Sequence, residues 1–177
     1  MKKLLLSGTL FALSVSTIAA QQAKNMPTQI TTVERGDVRA RYLNFKWDEE
    51  AFEALEKGGD LPGAKRSWAI ARLYPSKPIK LNGKLISGGN LLVLNPGSGD
   101  TPMTLEVRVI DMREVFVDLN VIAVPPEGRT IYKEPAGFEK VDTVAERLTL
   151  AISEGDGKIK LSVHYGDRLA TIEFDSR

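Results

Sequence analysis

The feature that most constrains this chain is its two-residue alternation of apolar and polar side chains, broken at short intervals by turn-forming residues. The C-terminal third shows it best. Ile159, Leu161, Val163 and Tyr165 alternate with Lys158, Lys160, Ser162 and His164. A strand sends successive side chains to opposite faces, so this pattern predicts a strand with one buried and one wet face. Strands are expected over 144–152, 158–165 and 169–174. Glu154-Gly155-Asp156-Gly157 and Gly166-Asp167-Arg168 join them into a meander.

The same period runs through the rest of the chain. Thr31, Val33 and Arg35 alternate with Ile30, Thr32 and Glu34, and Gly36-Asp37 makes a turn. Val38, Ala40 and Tyr42 share a face opposite Arg39 and Arg41. Ser67–Tyr74 reads as a strand with Trp68, Ile70 and Arg72 on one face and Ala69, Ala71 and Leu73 on the other. Pro75 and Pro78 place that segment near a sheet edge. Asn82-Gly83, between Ile79-Lys80-Leu81 and Lys84-Leu85-Ile86, predicts a hairpin, because both turn positions tolerate left-handed dihedrals. Leu91–Leu94, Thr104–Ile110 and Val115–Ala123 complete the strand set, and a long connection is expected from Pro125 to about Val141.

One helix is expected, over Asp48–Lys57. Asp48 is a capping residue, Glu49 and Glu50 suit the positive end of the helix dipole, and Gly58-Gly59 stops it. Many short strands, one helix and no βαβ alternation imply an all-β fold. The expected architecture is a single antiparallel β-sandwich, or flattened barrel, spanning 29–177.

The first twenty residues read differently. Lys2 and Lys3 precede the apolar stretch Leu4–Val15, and Ile18-Ala19-Ala20 supplies small residues before Gln21. That is the layout of a secretory signal peptide cleaved after Ala20, with Ala19 the close alternative, followed by a flexible arm over 21–28. Ser7, Gly8, Thr9, Ser14, Ser16 and Thr17 dilute the stretch too much for a membrane span. The expectation is therefore a bacterial protein exported to the periplasm or the medium, with no membrane span in its mature form.

Composition narrows the chemistry. The chain has no cysteine and one histidine, so disulfides and thiolate metal sites are excluded, and a Ser-His triad could use His164 alone. Its 24 basic against 23 acidic residues give no electrostatic footprint for nucleic acid. No cofactor is expected.

Residues 77–96, Lys77-Pro78-Ile79-Lys80-Leu81-Asn82-Gly83-Lys84-Leu85-Ile86-Ser87-Gly88-Gly89-Asn90-Leu91-Leu92-Val93-Leu94-Asn95-Pro96, resemble the central motif of a secreted bacterial family, domain of unknown function 2911. The order of strand, Gly-Lys hairpin, small-Gly pair, apolar strand and proline is shared. The tail from Glu146 to Phe174 is similar in spacing. The Trp-Arg-Thr-Gly-Ala-Asn segment typical of members is absent; Trp68-Ala69-Ile70-Ala71 stands nearby instead. The resemblance implies a β-sandwich outside the cytoplasm and assigns no catalytic residue.

Four residues are candidate ligand contacts. Asp118 and Asn120 share a strand face with Phe116 and Ile122, and Glu106 and Arg108 lie on the polar face of the preceding strand. A few oriented polar groups framed by apolar ones suit a ligand cleft; cross-strand charge pairing is the plainer explanation. Trp47, Trp68, Tyr42 and Tyr74 could stack on sugars, although aromatics in a small sandwich belong more often to its core. The expected function is a non-catalytic binding module for a small ligand, a glycan or a protein surface. A structural envelope-interaction module and a carboxylate-dependent hydrolase are the alternatives.

Overall fold

The structure, a computed structural model, describes residues 29–58, 67–98, 100–109 and 129–175. In chain order it contains β1 (Ile30–Arg35), β2 (Val38–Leu43), the helix α1 (Glu49–Lys57), β3 (Trp68–Pro75), β4 (Ile79–Leu81) and β5 (Lys84–Ile86). There follow β6 (Asn90–Asn95), β7 (Thr104–Val109), β8 (Arg129–Pro135), β9 (Glu139–Gly155) and β10 (Lys158–Asp175). The strands form two antiparallel sheets, one ordered β1-β2-β3-β6-β7-β8 and the other β5-β4-β10-β9. This is the expected all-β sandwich, with one short helix among the described residues.

Period-two patterning decides what fills it. From the six-stranded sheet, Val38, Ala40, Leu73, Leu92, Leu94, Leu105 and Val107 enter the core cluster. The four-stranded sheet supplies Ile79, Leu81, Ile86, Leu148, Leu150, Ile159, Leu161, Val163, Ile172 and Phe174 to it. Each fully buried large aliphatic or aromatic side chain contributes about 1.5–3 kcal/mol of transfer free energy.

Several boundaries differ from the sequence reading, each for a physical reason. Residues 129–135, expected to be connection, form β8, because they pair with β7 from Thr104 to Val109. Val115–Ala123 lies outside the described residues. β3 is internal, between β2 and β6; Pro75 is tolerated because it ends the strand, opposite Val38. A bulge between Ala69 and Ala71 breaks the alternation of β3, so Ile70, Ala71 and Leu73 are all buried, while Arg72 lies opposite Leu91. The two last predicted strands are one extended run, β10, that turns back on itself. Lys158 and Lys160 both reach Glu173 at 2.9 Å, although fifteen residues of straight strand would separate the first pair by about 50 Å. The left-handed Gly166 (φ 62°) stands at the reversal.

The Asn82-Gly83 hairpin forms as predicted, with both residues at positive φ. The helix does too. Asp48 Oδ1 accepts the Ala51 N–H at 3.0 Å, and Gly58 ends the helix by donating its N–H to the Ala54 carbonyl at 2.9 Å. Phe52, Ala54 and Leu55 are its buried residues. The segment before it crosses between sheets: Trp47 N–H donates to Glu146 O, and Leu148 N–H to Phe45 O, both at 2.9 Å. Tyr165 pins the crossing, donating to Lys46 O at 2.8 Å and accepting from Asp48 N–H at 3.1 Å. On the far edge Asn82 Nδ2 donates to Tyr132 Oη at 2.7 Å, tying the β4–β5 hairpin to β8. No helix among the described residues is long and apolar enough to cross a membrane.

Candidate functional site

Strand alternation gives the six-stranded sheet an outer face, turned away from the core. In register across it lie Ala69, Val93, Glu106 and Lys133 in one row, and Arg41, Arg72, Leu91, Arg108 and Thr130 in the next. An outer face is ordinarily wet, yet Val93 is 0% exposed, Leu91 6% and Glu106 5%. Leu91 and Val93 form a small apolar cluster of their own with Ala69, separate from the core. Glu106 and Arg108 thus stand on the predicted face, but not in the solvent that such a face implies.

Their geometry is that of a built polar centre. Arg108 Nε donates to Glu106 Oε2 at 2.8 Å, and Thr130 Oγ1 donates to the same oxygen at 3.0 Å. Lys133 Nζ stands 3.1 Å from Oε1. Both carboxylate oxygens are therefore engaged. Burial pushes the Glu106 carboxyl up, but the hydrogen bonds from Arg108, Lys133 and Thr130 outweigh it and hold the group below its ordinary value. An ionised, fully engaged carboxylate has no proton to give and no free lone pair aimed at a substrate. Its chemistry is to fix Arg108.

The other end of Arg108 extends the centre. Its Nη2 donates to Asn95 Oδ1 at 2.9 Å, and Ser67 Oγ donates to the same oxygen at 2.5 Å. Two donors at one oxygen settle the amide orientation, which leaves Asn95 Nδ2 buried with no hydrogen-bond partner among the described residues. A buried donor left unmade costs about 1–3 kcal/mol, so this atom calls for an acceptor. Sequence reading found Glu106 and Arg108 from the alternation of β7. It missed Ser67, Asn95, Thr130 and Lys133, because only sheet register brings them there. Asp118 and Asn120 lie outside the described residues.

The remaining candidates go elsewhere. His164 stands on the outer face of the four-stranded sheet, its Nε2–H donating to Thr143 O at 3.1 Å. Trp47 is no stacking platform: one ring face lies against the Gly166 backbone, where an added Cβ would come within 2.2 Å of it. Its ring also meets Phe52 at 5.6 Å and Tyr165 at 4.6 Å. Trp68 packs edge-on against Phe45 at 5.8 Å, so both tryptophans serve one aromatic cluster at the crossing. Tyr42 is buried in the core, and Tyr74 lies beneath the Arg39 guanidinium. Among the described residues, no group of three or more His, Asp or Glu side chains is gathered as a metal ion would require. No family model, curated protein or solved structure matches the chain.

Proposed function

We propose that this protein is an exported, non-catalytic binding module whose ligand meets the outer face of the six-stranded sheet beside Glu106, Arg108 and Asn95. One observation carries the reading: the unpartnered Asn95 Nδ2 adjoins an arginine clamped by a buried carboxylate. Held rigidly by Glu106, Arg108 offers its remaining N–H groups without the entropic loss a free arginine would suffer on binding. The set is rich in donors, so the complementary ligand carries acceptor oxygens. Export rests on the signal-like residues 1–20, and N-terminal sequencing of the secreted chain is expected to begin at Gln21. The kinship of residues 77–96 with domain of unknown function 2911 is part of this proposal and fits a β-sandwich outside the cytoplasm.

The test is native mass spectrometry of the mature chain purified gently from its own envelope fraction. A reproducible added mass, lost in Arg108→Gln while the fold is retained by circular dichroism, supports the reading. An added mass that survives Arg108→Gln moves the site elsewhere, and a clean apo mass favours an envelope-interaction module.

A further inference from the structure

The tip of the β4–β5 hairpin combines a reactive pair of residues with a structural latch. Asn82 and Gly83 form its two-residue turn, with Leu81 paired to Lys84. The flanking pair closes such a turn, so the Gly83 N–H is left without an acceptor among the described residues. Asn82, Gly83 and Lys84 are exposed, and nothing lies within 4 Å of the place a Gly83 Cβ would occupy. The Gly83 nitrogen is therefore open to the Asn82 side chain, and the turn is open to water. The three other asparagines among the described residues lack this opening. Asn44 and Asn90 precede Phe45 and Leu91, whose side chains crowd the following nitrogen, and Asn95 precedes Pro96, which has no N–H.

The Asn82 amide also holds the edge of the sandwich together. Its Nδ2 donates to Tyr132 Oη at 2.7 Å, and Tyr132 Oη donates in turn to Glu134 Oε2. Burial and the neighbouring Glu134 hold the Tyr132 pKa above its ordinary value, so the hydroxyl keeps its proton at neutral pH. The phenol oxygen thus accepts from the hairpin and donates within β8. We propose that Asn82 is a self-modification site: it cyclises onto Gly83 and, by losing its amide nitrogen, releases the hairpin from β8. The Gly83 nitrogen attacks Asn82 Cγ, and an N–Cγ bond forms. The Cγ–Nδ2 bond breaks, and Nδ2 leaves as ammonia with the proton that Gly83 gives up. Water then opens the cyclic imide to an aspartyl or an isoaspartyl residue. Either product puts a carboxylate oxygen where Nδ2 stood. Tyr132, its one proton committed to Glu134, has none to offer, and the new charge faces Glu134. The latch restrains the reaction as well, because the amide must leave Tyr132 before Cγ can turn towards the Gly83 nitrogen.

Incubation of the full mature chain at mildly alkaline pH, followed by peptide mapping with mass detection, tests the proposal. Asn82 is expected to convert to both products well ahead of Asn44 and Asn90. Tyr132→Phe keeps the ring in the core and removes only the acceptor. It is expected to convert about fivefold faster, the weight of one ordinary hydrogen bond. Lys84→Gln, which alters the same hairpin without touching the latch, is expected to convert at the wild-type rate. Hydrogen exchange supplies the second readout. Amides of β4 and β5 are expected to exchange about fivefold faster in the converted chain and in Asn82→Asp, which makes the acid product directly, while those of β2 are unchanged. An Asn82 that survives as long as Asn44 and Asn90 overturns the inference. So does an unchanged rate in Tyr132→Phe, or hairpin protection that is the same before and after conversion.

Discussion

The outer faces of the two sheets are built from the same alternation and have opposite characters. On the four-stranded sheet, Lys158 and Lys160 share Glu173, each at 2.9 Å, and all three side chains stand largely in water. On the six-stranded sheet, Arg108, Lys133 and Thr130 converge on a carboxylate that solvent hardly reaches, beside a buried Leu91 and Val93. The first is what a solvated face does with its charges, and it implies little about function. In the second, desolvation makes every polar group either well paired or costly. Such a pairing, with one donor left over at Asn95, is a specific arrangement and not an average one.

The largest expected effect comes from breaking the buried centre. Glu106→Gln removes the charge that compensates Arg108. It is expected to cost about 2 kcal/mol in chemical denaturation, below the range for a fully buried pair because Lys133 is mostly in solvent. A change near zero would place the two faces in the same class. Next comes pH. Because the Glu106 carboxyl is held below its ordinary value of 4.5, the unfolded chain takes up its proton first as pH falls. Its contribution is therefore complete above the ordinary value and is lost as pH drops through the lowered one. An acid-unfolding series of wild type against Glu106→Gln reads this directly: the gap between them is expected to close below pH 4.5.

Glu173 sharpens the contrast from the other side. Hydrogen bonds from Lys160 and Lys158 draw its pKa down to about 2, well below the ordinary carboxylate range. Yet this triad is exposed and screened by salt, and Glu173→Gln is expected to leave the thermal midpoint nearly unmoved at physiological ionic strength. A shift as large as that of Glu106→Gln would show that exposure is a poor guide to which cluster matters. A large pKa shift and a small energetic effect can coexist where water competes for both partners.

How much of this was legible in the sequence follows from what each feature depends on. The helix cap at Asp48, the Asn82-Gly83 hairpin and the inward residues of β2 and β10 depend on neighbours a few positions away, and alternation or turn chemistry revealed them. The bulge at Ile70, the internal position of β3 and the strand over 129–135 depend on partners distant in the chain, and local pattern misplaced them. The site divides the same way. Glu106 and Arg108 are two residues apart on one strand and could be seen together. Lys133 joins them through β7–β8 register, Asn95 through β6–β7, and Ser67 through its hydrogen bond to Asn95. The exposed Lys158–Glu173 pair depends on the reversal at Gly166, which the turn residues Gly166-Asp167-Arg168 signalled locally.

The central claim is that the outer face of the six-stranded sheet, and not that of its partner, is the binding face. The most direct measurement is a nitrogen-15 NMR comparison of the arginine and lysine side chains before and after addition of an extract of the protein's own envelope fraction. Saturable shifts at Arg108, with Lys158 and Lys160 unmoved, are the predicted result. Equal shifts on both faces, or none at Arg108, would contradict it.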